Sequence, residues 1–309
     1  MIAALLTTVL FSISAISATQ LTKVLGGVAA NFWRIMLSAV LLGLLTFCVG
    51  TGFGGAALFT FFWSGVLGFG IGDSALYQAL PRLGSRLSVL LVHCLAAPFG
   101  AFVEWLWLGT VLDFWQLMFG GLTLTGVALA LAPGHQKPES IREWRKGIVF
   151  GVIAGLGQGG GAVLSRKAYA IAATTGQDVS GITAAFERIW GGVIVAALAY
   201  GLWRWHSSTV VESSKKTDRA GGFGSVAPWL ILNSITGPVL GVACYQHALR
   251  SIPIGVVLPV VALTPLVILP FSMKLEGERP TPRSLLGALL AVGGVFGLLW
   301  VRGKLIAGG

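Results

Sequence analysis

Apolar residues run along this chain in blocks of about twenty, broken by Gly, Pro or charged residues. A helix needs roughly 20 residues to cross a hydrocarbon core, and a bilayer excludes open strands, so blocks of this length predict spanning helices. The pattern predicts spans over 1–19, 28–49, 57–80, 88–108, 114–133, 147–168, 181–203, 226–249, 254–275 and 283–301. Two connections are polar enough to be loops. One is 134–146, with Lys137, Glu139, Arg142, Glu143, Arg145 and Lys146; the other is 204–225, with Lys215, Lys216, Asp218 and Arg219. The expected fold class is an all-α polytopic membrane protein of about ten transmembrane helices.

Composition agrees. Of 309 residues, 55% are hydrophobic and only 10% charged, and the mean hydropathy is +0.84. A soluble domain carries about a quarter charged residues, so most of this surface does not face water. The net charge of +10 would suggest nucleic acid in a soluble protein. Here the basic residues lie between apolar blocks, where they act as topology determinants and headgroup contacts, and no nucleic-acid partner is expected. Cys48, Cys94 and Cys244 all fall in apolar stretches without metal-ligand spacing, so neither a metal nor a disulfide framework is expected. The segment 1–18 lacks the basic start of a signal peptide and is read as the first span.

The two halves of the chain resemble each other. Tyr77-Gln78 followed by Ala79-Leu80 and Arg82 returns as Tyr245-Gln246 followed by Ala248-Leu249-Arg250. Pro98 returns as Pro265, Leu108-Gly109-Thr110 as Glu276-Gly277-Glu278, and Gly120 and Gly126 as Gly287 and Gly293. Phe32-Trp33-Arg34 has its counterpart in Phe186-Glu187-Arg188. The expected division is a first five-helix repeat over 1–133, a polar linker over 134–146 and a second five-helix repeat over 147–303. Because five is odd, the second repeat enters the membrane inverted. Inverted repeats are the architecture of secondary transporters, with the substrate site near the midplane between them.

These residues resemble the EamA branch of the drug/metabolite transporter superfamily over nearly the whole chain. The resemblance rests on the duplicated layout, on Arg34 and Arg188, on Pro265 with Glu276-Gly277-Glu278-Arg279, and on the glycines of the last span of each half. Thr110 stands where the family pattern has a glutamate. The resemblance implies both termini in the cytoplasm. The basic residues argue the reverse: apart from Arg34 and Arg188, only Arg166, Lys167, Arg250, Arg302 and Lys304 lie on the side of the termini. The orientation therefore stays open.

Ionisable groups inside a bilayer cost roughly 2.5–3.5 kcal/mol each on insertion scales and need a partner or a cavity. Arg34 and Arg188 either meet an anionic substrate or a gate, or snorkel to headgroups and cap carbonyls. Asp73 is a candidate proton-coupling residue, or else the structural ion partner of Arg34. Glu187 cannot face its neighbour Arg188 and needs its own partner, while Glu104 sits near a span end and is expected to meet water. Tyr77, Gln78, Gln158, Tyr245 and Gln246, with Asn233, are candidate site-lining groups, although such side chains also tie helices together. His93 reads as a proton relay or a hydrogen-bonded core histidine. Gly151, Gly155 and Gly159 offer a smooth helix face, and the glycines around Gln158 suggest either tight packing or a local unwinding. Four prolines, Pro253, Pro259, Pro265 and Pro270, predict a kinked or broken ninth span.

Gly70-Ile71-Gly72-Asp73 matches the GxGD string of intramembrane aspartyl proteases, but Asp113, Asp178 and Asp218 lie in connections, so the second carboxylate is missing. No enzyme activity, catalytic residue or cofactor is expected, and no P-loop is present for ATP-driven pumping. The expected function is secondary transport or export of a small metabolite. The alternative is a non-transporting scaffold or accessory subunit that binds a partner or lipid through its glycine-rich faces. The expected partners are a small-molecule substrate and the lipid bilayer, with a homodimer left open. The expected location is the bacterial cytoplasmic (inner) membrane.

Overall fold

A computed structural model of the chain describes residues 1–131, 140–210, 223–268 and 282–307. All the regular structure among these residues is helical: α1 Ile2–Leu25, α2 Gly27–Val49, α3 Leu58–Gly65, α4 Asp73–Leu108, α5 Phe114–Leu131, α6 Ile141–Thr174, α7 Gly181–Val210, α8 Phe223–Ser234, α9 Leu240–Ser251, α10 Ile254–Val261 and α11 Pro282–Ala307. Two π-helical segments interrupt the series, Val66–Gly72 between α3 and α4 and Ile235–Val239 between α8 and α9.

Among the described residues, six helical runs are long and apolar enough to cross a membrane: Ile2–Leu25, Gly27–Val49, Leu58–Leu108, Ile141–Thr174, Gly181–His206 and Val226–Ser251. Phe114–Ala130, Ile254–Ile268 and Leu285–Val301 are shorter apolar helices. The run Leu58–Leu108 is 51 residues long, twice what one crossing needs. It folds back at Gly84, whose φ of 76° and ψ of 169° only glycine adopts without strain.

The burial pattern inverts that of a soluble domain. Phe47, Phe59, Leu198 and Leu289 point outward, whereas Arg34, Glu104, Glu187, Arg188 and Gln246 are buried. Apolar side chains dissolve in lipid, so the interior holds what lipid rejects.

Glycine faces hold the helices together. Gly151, Gly155 and Gly159 of α6 lie against Leu91, Leu95 and Ala96 of α4, and Gly157 and Gly161 lie against the first π-helical segment at Gly72 and Gly68. The alternative of unwinding around Gln158 is not realised, since α6 is continuous from Ile141 to Thr174. Gly126 of α5 likewise abuts Gly287 of α11, backbone against backbone.

Several boundaries move. Ser140 caps α6 by accepting a hydrogen bond from the Glu143 N–H at 3.4 Å, so the helix starts inside the expected linker. At the other end, α7 continues to Val210, well into the expected second loop. The ninth span breaks as its prolines foretold: α10 ends at Val261 and helix resumes over 264–268, with Pro270 outside the described residues. Polar groups of α1 meet the carbonyls around this break. Thr8 donates to the Val260 carbonyl at 3.1 Å and Ser12 to the Thr264 carbonyl at 3.0 Å. No water is present in a bilayer core to do this, so hydroxyls from a neighbouring helix substitute.

Candidate substrate site

The buried polar groups converge. Arg34 of α2, Asp73 and Tyr77 of α4, His93 beyond the Gly84 turn, Gln158 of α6, Arg188 of α7 and Tyr245 of α9 all line one central cavity. Its volume, counted as room for the centre of a water molecule, is about 80 Å³. That holds several waters, since one needs roughly 10–15 Å³, but it is well short of the roughly 300 Å³ from which small-molecule pockets begin. At that volume a metabolite could be accommodated only if helices moved apart.

On one wall the charges are balanced. Arg34 is 5% exposed and forms a short ion pair with Asp73, and its Nη2 also donates to Asn31 Oδ1 at 3.1 Å. The Arg34 guanidinium lies 4.8 Å from the centre of the Tyr77 ring. Tyr77 in turn donates to Asn233 Oδ1 at 3.0 Å, and Asn233 donates to the Ser14 carbonyl. The ion-pair reading of Asp73 with Arg34 is therefore realised in the geometry, and the arginine does not snorkel.

The opposite wall is different. Arg188 is 3% exposed and stands 5.3 Å from the centre of the Phe69 ring, with no hydrogen bond or ion pair among the described residues. Its Nη2 occupies space opened by Gly68, where a Cβ would sit 2.8 Å away. The Tyr245 hydroxyl is also buried without a partner. His93 stacks on Phe11 at 6.4 Å between ring centres, and its Nδ1 has no hydrogen-bond partner.

Two expected lining residues sit elsewhere. Gln78 is turned away from the cavity and accepts from Arg82 Nη1 at 3.0 Å. Gln246, 0% exposed, is turned out of the cavity, with both amide atoms unpartnered. The cause is helical geometry: adjacent residues point about 100° apart, so when Tyr77 and Tyr245 face the cavity the glutamines that follow them do not.

One end of the bundle carries a polar network that the sequence did not announce. Glu104 is 1% exposed, not in water as expected: it accepts from Arg166 Nε at 2.8 Å and from the Ile254 N–H at 2.8 Å. Arg166 also donates to the Leu249 carbonyl at 2.9 Å, and Arg250 pairs with Asp178 at 2.5 Å. Glu187 finds its partner in the Gly54 N–H at 3.1 Å, while Gln177 donates to the Gly54 carbonyl at 2.6 Å. Pairs between residues more than sixty positions apart carry no periodic signal. The one hint in the sequence is Glu104 four residues from a span end, a position that suits a buried carboxylate as well as a wet one. Glu276, Gly277, Glu278 and Arg279 lie outside the described residues, as do Lys137, Glu139, Lys215, Lys216, Asp218 and Arg219.

An all-helical bundle with an apolar exterior and charged groups gathered inside it is the architecture of a multi-pass integral membrane protein. The pattern of the EamA-like transporter family matches residues 1–132 and 145–300, and the chain belongs to that family. No curated protein sequence matches the chain. Among solved structures, one described only as the crystal structure of a protein is similar in fold, with a TM-score of 0.64 at 16% identity, covering 98% of each chain.

Proposed function

We propose that the protein is a secondary transporter or exporter of a small metabolite, working by alternating access between two inverted five-helix repeats, 1–133 and 147–303, joined by the linker 134–146. On this reading the chain crosses the membrane ten times, the run Leu58–Leu108 counting as two spans parted at Gly84. The observation that carries it is the central cavity, to which α1, α2 and α4 contribute from the first repeat and α6, α7 and α9 from the second. A site shared by both repeats is exposed to one side or the other when they rock. At about 80 Å³ the cavity is too small for a metabolite, and on this reading the described conformation is an intermediate of that cycle.

Further support comes from the two π-helical segments. Each precedes a Tyr-Gln pair, and each lies where the arginine of the other repeat arrives: Gly68 beside Arg188 and Gly237 beside Arg34. Such segments loosen the backbone ladder and are common at functional sites. Arg34, Arg188, Tyr77, Gln158 and Tyr245 form the substrate site in this reading, with Gln78 and Gln246 supporting it from behind. Asp73 is the proton-coupling carboxylate in this reading, held against Arg34 in the described conformation. The setting is the bacterial cytoplasmic membrane.

The test is flux. The purified chain in proteoliposomes is offered labelled amino acids, nucleosides, sugars, organic acids and amines. Saturable, protein-dependent movement of one class is expected. Folded protein that moves none of them would shift the assignment to a scaffold or accessory subunit.

A further inference from the structure

The two repeats differ at the points that matter most for a ligand. Aligned on Tyr77 and Tyr245, Asp73 of the first repeat falls opposite Gly241 of the second, and Asn233 falls opposite Gly65. In the first repeat the arginine has its carboxylate and the tyrosine its amide. In the second, both partner positions are glycine. Neither glycine can be replaced by a partner side chain, because a Cβ at Gly65 would strike the Arg188 backbone and one at Gly241 the Thr236 carbonyl and the Phe11 ring. The fold thus leaves one guanidinium and one hydroxyl without acceptors on the same cavity.

Charge makes the same point. The cavity lining holds two guanidinium groups and one carboxylate, and that carboxylate is taken by Arg34. One positive charge is left over at a buried position, where an uncompensated ion is costly. Glu187, although next to Arg188 in sequence, faces the Gly54 loop and cannot compensate. The guanidinium presents a fork of donors whose spacing matches the two oxygens of a carboxylate.

We infer that Arg188 and Tyr245 form the anion-binding half of the substrate site, and that the transported metabolite is a small organic monocarboxylate whose carboxylate seats on Arg188. The inference rests on the transporter reading above and adds the substrate class. A single negative charge neutralises the cavity, whereas a phosphate dianion overshoots it. The body of the ligand would lie toward the Phe11 and Phe69 rings, which line the same space.

The experiment is thermal stabilisation and equilibrium binding of the purified full chain with matched probes. These are lactate against lactamide and benzoate against benzamide, together with glutamine, whose own carboxylate is balanced by an amine, and glycerol 3-phosphate as the dianion control. At least one monocarboxylate is expected to stabilise the protein while its amide does not. Arg188→Gln should weaken that binding about ten- to a hundredfold, the range for loss of charge-assisted hydrogen bonds. Tyr245→Phe, which keeps the ring and the packing, should weaken it by about fivefold and guards against misfolding of the arginine variant. No stabilisation by any carboxylate, equal binding of acid and amide, or binding unchanged in both variants would overturn the inference. Saturable flux of a neutral or cationic metabolite, indifferent to Arg188→Gln, would overturn the anion site and leave transport standing. Carboxylate binding that depends on Arg188 without any flux would do the reverse.

Discussion

Replacing Gly126 by alanine is a sensitive probe of how this bundle is held together. A Cβ at that position would lie 2.7 Å from the Gly287 carbonyl oxygen and closer still to the Ala291 backbone nitrogen. Ordinary contact begins at 3.4 Å, so α5 and α11 must separate by most of an ångström along their tightest stretch. Both obstructing atoms are backbone, and no rotamer can relieve the clash. Overpacking of this kind costs about 1–3 kcal/mol, and the loss of facing dispersion contacts along the seam places this case near about 2 kcal/mol. Gly121 lies on the same helix with nothing within 4 Å of its would-be Cβ. There, alanine should stabilise by about 0.5–1 kcal/mol through helix propensity. Two chemically identical substitutions five residues apart should thus move the melting temperature in opposite directions. Thermal unfolding of both variants in the same detergent is the assay. Equal shifts would refute close backbone contact as what joins these helices. A further check is the double variant Gly126→Ala with Gly287→Ala, which should cost less than the two singles combined, because the first substitution has already parted the helices.

Asp73→Asn should abolish the pH dependence of flux for whichever metabolite the proteoliposome screen returns, while leaving its binding partly intact. Unchanged pH dependence would remove Asp73 from the coupling step. Glu104→Ala should cost about 3 kcal/mol, because it leaves Arg166 and the Ile254 N–H without their buried acceptor. Glu104→Gln keeps a neutral acceptor and should lose clearly less, as read by melting temperature; equal losses would show that the carboxylate charge, and not the acceptor as such, carries the contribution there.

The membrane class and the helical fold were legible because lipid imposes one requirement, an unbroken apolar run, that any helix crossing it must meet. The internal resemblance between the halves was legible for a related reason: Tyr77-Gln78 and Tyr245-Gln246 keep their spacing from the prolines and glycines that follow to within one residue. Sequence also picked out Arg34, Asp73, Tyr77, Gln158, Arg188 and Tyr245, since each is a polar residue inside an apolar run, and all six meet at the cavity. What it could not supply was direction. Gln78 and Gln246 satisfy the same polarity rule yet point away, because facing is fixed by helix rotation. Nor could it tell that Arg34 is paired while Arg188 is not. That difference depends on Asp73 reaching across from another helix and on Gly241 holding the corresponding place empty. The Glu104–Arg166 pair joins residues far apart in the chain, and position near a span end does not distinguish a wet carboxylate from a buried one.

The central claim is that one cavity serves both sides of the membrane in turn. Its most direct test is accessibility of a single cysteine placed in that cavity. With Cys48, Cys94 and Cys244 changed to serine, Ala154→Cys on α6 places a thiol at the cavity wall, and Leu198→Cys provides a lipid-facing control. Right-side-out and inverted vesicles are each treated with a small membrane-impermeant thiol reagent. The account predicts that the cysteine at position 154 reacts from both sides and the one at 198 from neither. Reaction at 154 from one side only would mean a one-sided pocket and would contradict alternating access.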